Sequence, residues 1–206
     1  TPWSLLGNMA LAVRADAAYV LVRRMETHEL YIVAEDLAES LASVPAGRPG
    51  ESGTLGPFEK VATVAGADLV GSTYECPWML PTEERFLMNA PFVTTDAGTG
   101  IVHMAPAHGQ EDYEVWRDAG FLKKYGLKSP VDALGRLVTD ASWGLNDVIR
   151  ADVARLHGLE ALGDGTERLL QLLDAHSVLL SERPYVHSYP IDWRTKKPIL
   201  TRATAQ

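Results

Sequence analysis

Short apolar, β-branched runs dominate the first third of the chain. Met9–Val13, Ala18–Val22 and Leu30–Val33 each read as a strand, and Arg24–Glu29 reads as a hairpin connection between the last two. From Ala34 to Ser43 the pattern changes. Leu37 and Leu41 stand four apart behind Glu35 and Asp36, which predicts an amphipathic helix with acidic residues in its first turn. The glycines and prolines between Pro45 and Pro57 predict a mobile loop, the best place in the chain for an insertion. Phe58–Val64 and Arg85–Val93 read as further strands, and Ile101–Met104 as a short one behind the turn Gly98-Thr99-Gly100. Asn146 is placed to cap a helix carrying Ile149, Val153 and Leu156. Asp164 with Glu167 makes a capping-box-like start for Leu169, Leu172 and Leu173. Val178–Leu180 and Tyr185–Tyr189 read as closing strands. Strands and helices mix without a regular βαβ alternation and without a repeat. The expected fold class is therefore α+β, with a barrel-like or strongly bent mixed β-sheet surrounded by helices.

Composition narrows the class. The chain has 206 residues, 46% apolar and 22% charged, which suits one globular domain spanning 1–206. A single cysteine, Cys76, leaves no internal disulfide framework and no CxxC metal or redox motif. No apolar run approaches the ~18 residues of a membrane helix. Thr1-Pro2-Trp3-Ser4 has neither the basic nor the apolar region of a signal peptide. The absence of a starting Met leads to the expectation of a domain excised from a larger protein. The net charge of −8 argues against general nucleic-acid binding. It is unevenly spread: residues 183–206 carry +4, leaving −12 on the rest. That basic tail reads either as a solvated segment or as a place to meet a phosphate backbone.

The densest polar cluster is Gly98-Thr-Gly-Ile-Val-His103-Met-Ala-Pro-Ala-His108-Gly-Gln-Glu111-Asp112-Tyr113. It reads as turn, short strand, loop and helix, with His103, His108 and Asp112 aimed at a common region near a helix N-terminus. Such junctions often build sites. Each residue also has an ordinary reading: Glu111 and Asp112 as complements of the helix dipole, His103 as a satisfied core histidine, His108 as an exposed loop residue. The same side chains are competent metal ligands, so a metallohydrolase using His103, His108 and Asp112 stays open, although their spacing fits no zinc motif. No nucleophile motif or phosphate loop stands out.

Three segments together resemble the editing (CP1) domain of the class I aminoacyl-tRNA synthetases, in its isoleucyl form. They are Thr1-Pro-Trp-Ser-Leu-Leu-Gly-Asn8, Gly98 to Tyr113, and His187-Ser-Tyr-Pro-Ile-Asp-Trp-Arg194, at the start, middle and end of the chain. The valyl and leucyl relatives share the GTG…PAH theme, but GIVH followed by Gly-Gln-Glu-Asp is similar to the isoleucyl pattern. The chain departs from the family at Leu6, where proline is usual. The threonines that precede Thr1 in the family fall outside it, and Thr195-Lys-Lys-Pro stands where cysteines are common.

The resemblance implies hydrolysis of mischarged Val-tRNA(Ile). One methylene is worth only ~1–3 kcal/mol in a synthetic pocket, and isoleucyl-tRNA synthetases are the standing example of the double sieve that answers this. An activated ester needs no covalent nucleophile, so water attacks. By the resemblance, Asp112 anchors the substrate's α-ammonium group, His103 limits side-chain size, Thr1 contacts substrate and water, and Trp3 walls the pocket, with Gly100 among the substrate-binding positions. It further implies no cofactor in this domain, ATP and Mg being used elsewhere in the parent synthetase. The implied partners are the tRNA(Ile) 3′ end carrying valine and the rest of the synthetase, with no membrane. The expected setting is the cytoplasm and the isolated domain is expected to be monomeric. The alternative is a non-catalytic module binding the tRNA 3′ end or the amino acid.

Overall fold

The computed structural model describes residues 1–78, 84–140, 147–186 and 188–204. The proposed cap Asn146 and the exit-segment residue His187 lie outside the described residues.

Among the described residues, two three-stranded sheets organise the fold. The first has the order β5-β1-β6, with β1 (Ala10–Val13) at its centre, parallel to β5 (Phe86–Asn89) and antiparallel to β6 (Val102–Met104). Ala10 and Ala12 are fully buried, and their small side chains leave room for Met104, Met88 and Trp116 to close over the sheet. The second sheet is antiparallel, β3-β2-β4, built from β2 (Ala18–Arg24), β3 (Leu30–Ala34) and β4 (Phe58–Ala65), with a register irregularity at Leu21/Val22. The bent sheet expected from the sequence is thus two sheets, and no closed barrel forms among the described residues.

Tyr19 joins the sheets. Its ring is fully buried, its hydroxyl donates to the Gly100 carbonyl at 2.8 Å, and it accepts from the Arg14 amide at 2.9 Å. Gly100 has a φ of +73°, and a Cβ there would stand 2.4 Å from that of Ala34. Both the left-handed backbone and the close approach require glycine.

The helices described around the sheets are α1 (Ala38–Ala42), α2 (Gly66–Leu69), α3 (Gln110–Asp118), α4 (Phe121–Tyr125), α5 (Asp147–Ala154) and α6 (Asp164–Ala175). A 3₁₀ turn over Pro2–Gly7 opens the chain and lies against α6. Its Trp3 and Leu6 enter a core shared with Val153, Leu156 and Leu169.

Several expectations are corrected. The helix from Ala34 to Ser43 is a 3₁₀ turn, Glu35–Leu37, followed by the short α1. The capping box at α6 does not form: Gly163 occupies the cap with no side-chain bond, and Glu167 instead pairs with Arg48 at 2.8 Å. The 45–57 loop is tied down, because Arg48 also meets Glu182 at 3.0 Å and Gly47 exchanges backbone bonds with Leu180 and Glu182. The described residues of Val178–Leu180 and Tyr185–Tyr189 form no strand. Single bridges form nearby instead, Gly47 with Ser181 and Ile191 with Pro198. Tyr185 and Val186 are 79% and 96% exposed, so no buried face holds that stretch to a sheet. No helix among the described residues is long and apolar enough to cross a membrane.

Candidate functional site

The polar groups singled out in the sequence gather at one end of the first sheet, where β1 begins and β6 ends. Pairing Ala10 with Met104 and Leu11 with His103 sets the 3₁₀ turn beside His103. The turn and the residue that caps it supply two partners for the ring: Ser4 Oγ lies 3.1 Å from Nε2, and Asn8 Nδ2 lies 2.8 Å from Nδ1. Ser4 Oγ also donates to the Thr1 carbonyl at 2.8 Å. Asn8 is anchored by a 3.1 Å bond to the Ala10 carbonyl and by the Tyr74 hydroxyl, which donates to Asn8 Oδ1. Burial pulls the His103 pKa down to about 4, so the imidazole is neutral at physiological pH.

Pro106 and Gly109 break the chain after β6, and α3 starts at Gln110. Its first turn carries Asp112, whose Oδ2 accepts from the Ala105 amide at 2.9 Å. This bond folds the helix start back over the loop. Asp112 is half-buried, and among the described residues it has no cationic partner. Burial raises its pKa, the neighbouring Glu111 charge adds to that, and the Ala105 N–H opposes it. Glu111 itself faces away, into an open cleft of about 820 Å³ on the other flank of α3 whose lining includes neither Asp112 nor His103.

His108 is not the exposed loop residue that the sequence allowed. Its ring meets Trp3 edge-on, with centroids 4.8 Å apart. Nδ1 lies 2.8 Å from the Thr201 carbonyl, and Nε2 lies 3.3 Å from Ser129 Oγ. Ala203 donates its amide to the Ala107 carbonyl at 2.7 Å, so the 201–203 segment straps the same loop.

The structure therefore brings Thr1, His103 and Trp3 together around the 105–108 loop that also holds Asp112. Thr1 enters through its carbonyl and Trp3 through its packing against His108. Gly100 lies at the joint between the two sheets, where Tyr19 reaches its carbonyl. No group of three or more His, Cys, Asp or Glu among the described residues is arranged to hold a metal ion, so His103, His108 and Asp112 do not form the ligand set that their residue types permit. Sequence reasoning missed Ser4, Asn8 and Tyr74. The adjacency of Ser4 and Asn8 to the TPW segment was available as a signal. Tyr74 gave none, because it reaches the site from 66 residues away.

Comparison with known proteins places the fold. No protein-family model matches the chain. In three dimensions it resembles the CP1 domain of a leucyl-tRNA synthetase (GlLeuRS), with a TM-score of 0.61 at 18% identity, covering 88% of this chain and 77% of that one. It also resembles the P. knowlesi cytosolic leucyl-tRNA synthetase editing domain, with a TM-score of 0.52 at 14% identity, covering 88% and 82%. The fold is thus that of a class I aminoacyl-tRNA synthetase editing domain.

Sequence resolves the branch. The chain is 40% identical over 206 residues to the isoleucine–tRNA ligase of Gloeobacter violaceus and 38% identical over 211 residues to that of Gloeothece citriformis. Each alignment covers 100% of this chain and 19% of the relative, so the chain spans about a fifth of the length of the ligases it matches. Over its full length the chain is therefore similar to one segment of isoleucine–tRNA ligases, in the fold of a synthetase CP1 domain.

Proposed function

We propose that this domain hydrolyses the ester of Val-tRNA(Ile) formed by mistake in its parent isoleucyl-tRNA synthetase, using water in a pocket too small for isoleucine. The observation that carries the reading is Asp112: a half-buried carboxylate, fixed by the Ala105 amide and lacking a cation of its own among the described residues. An aminoacyl ester presents an α-ammonium group, and a charge-assisted contact with Asp112 compensates both charges as the substrate seats. Neutral His103 lines the site and limits side-chain volume. Thr1 contacts the substrate and the attacking water, and Trp3 walls the pocket. The ester is already activated, so positioned water suffices and no side-chain nucleophile is required. Nothing in the reaction calls for a cofactor held by this domain. The tRNA(Ile) 3′ end and the rest of the synthetase are the partners, and the acidic body leaves most tRNA contacts to the parent enzyme.

The test compares release of valine from Val-tRNA(Ile) and of isoleucine from Ile-tRNA(Ile) by this chain and its Asp112→Ala variant. Selective valine release that disappears in a folded variant supports the reading. Hydrolysis at the normal rate by the variant overturns it, and saturable binding with no cleavage by either protein points to a binding module instead.

A further inference from the structure

The hydrogen bonds around His103 run in one direction, and that direction fixes every proton in the chain. Carbonyl oxygens only accept. The Ser4 hydroxyl has one hydrogen, which the Thr1 carbonyl takes at 2.8 Å, so Ser4 Oγ accepts from His103 Nε2. The Ala10 carbonyl at 3.1 Å identifies the donor end of the Asn8 amide, so its second N–H meets a lone pair on His103 Nδ1 at 2.8 Å. Asn8 Oδ1 then faces the Tyr74 hydroxyl, which donates to it. The neutral form protonated at Nε2 satisfies both ends of the ring at once.

We propose that Tyr74 is a positioning residue for the editing site: through Asn8 it holds His103 in the neutral Nε2–H tautomer, tied by Ser4 to the Thr1 segment. Tyr74 suits the task. It is anchored beside β5, where its amide donates to the Arg85 carbonyl at 3.1 Å, and Thr73 bridges to Phe86. Burial raises its pKa further above the neutral range, so it remains a donor throughout the working range. His103 is accordingly a shaped wall and not a general base: its lone pair is consumed by Asn8 and its proton by Ser4. The titratable side chain facing it is His108. The inference rests on the editing reading for its catalytic consequence alone.

The test is long-range ¹H–¹⁵N spectroscopy of the imidazoles in the labelled 206-residue chain, with His103 assigned by the His103→Gln variant. The wild type is expected to carry its proton on Nε2 alone across the neutral range. Tyr74→Phe keeps the ring and removes the donor. It is expected to mix the tautomers and lower kcat for Val-tRNA(Ile) roughly threefold to tenfold, the range for one intramolecular hydrogen bond, with KM nearly unchanged. If Tyr74→Phe does not fold, Asn8→Asp decides. A carboxylate only accepts, so it should draw a proton onto Nδ1 and raise the His103 pKa. A wild-type proton on Nδ1, an unchanged ¹⁵N pattern in Tyr74→Phe, or a proton remaining on Nε2 alone in Asn8→Asp would overturn the proposal. If the chain cleaves no ester, the editing reading fails, while the ¹⁵N pattern still decides the role of Tyr74.

Discussion

Gly109→Ala tests the site without replacing any side chain assigned to it. Gly109 caps α3 with φ −95° and ψ 129°, a conformation open to alanine, so the backbone itself is not strained. The obstacle is Asp112. The new methyl would stand 2.5 Å from Oδ2, 2.8 Å from Cγ and 3.2 Å from Cβ of that residue. The carboxylate must swing away and surrender the Ala105 amide. A hydrogen bond to a charged group is worth about 1.5–3 kcal/mol, and the lower end applies to this half-exposed one. Replacing glycine where its conformation suits alanine returns about 0.4–1 kcal/mol through the unfolded chain. The net loss of stability should be about 1 kcal/mol, small enough for the variant to stay folded. The effect on catalysis should be larger: a misplaced anchor forfeits a charge-assisted contact of similar size, lowering single-turnover hydrolysis of Val-tRNA(Ile) by roughly tenfold or more. Thermal melting and hydrolysis are measured on the same preparation. A folded Gly109→Ala variant that hydrolyses at the wild-type rate would refute both the placement of Asp112 and its anchoring role.

Two further outcomes follow from buried polar groups. The unfolded chain takes up a proton at His103 near its ordinary pKa of 6.5, whereas the folded chain resists until about pH 4. The stability from keeping this ring neutral is therefore complete above about pH 6.5 and is lost as pH falls towards 4, by about 3 kcal/mol in all. His103→Gln should flatten the fall in melting temperature across that window, and an equally steep fall would refute the assignment. Tyr19→Phe strands the Gly100 carbonyl and the Arg14 amide at the joint between the sheets. It should cost about 1–3 kcal/mol in denaturant unfolding, and a change below a few tenths would show that the joint does not depend on the hydroxyl.

What was legible in the sequence is what local chemistry decides. The strands at Ala18–Arg24, Leu30–Ala34 and Phe58–Ala65 stand where apolar runs put them, and the GTG turn has the left-handed glycines its residues imply. The amphipathic spacing of Leu169, Leu172 and Leu173 places α6, although a glycine and not a capping box begins it. Local patterns failed where a distant partner wins. Glu167 is drawn from its own helix start to Arg48, 119 positions away, and the glycine-rich loop is stilled by the same arginine. Tyr185–Tyr189 has strand-like residues and no buried face to bind them to a sheet. At the site, His103 and Asp112 stood out because their segment is dense in polar groups. The residues that orient His103 belong to a 3₁₀ turn and to the stretch before β5, and only the β1–β6 pairing brings them to it.

The strap across the 105–108 loop has a consequence for the order in which a ribosome would complete this domain. His108 waits for Thr201, 93 residues further along. At about 5–20 residues per second that interval is roughly 5–20 s, long enough for the strands and the Ser4–His103–Asn8 contacts to form first. The domain would thus exist for seconds as a folded scaffold whose His108 side is still open, and the 105–108 loop would be among the last parts to be fastened.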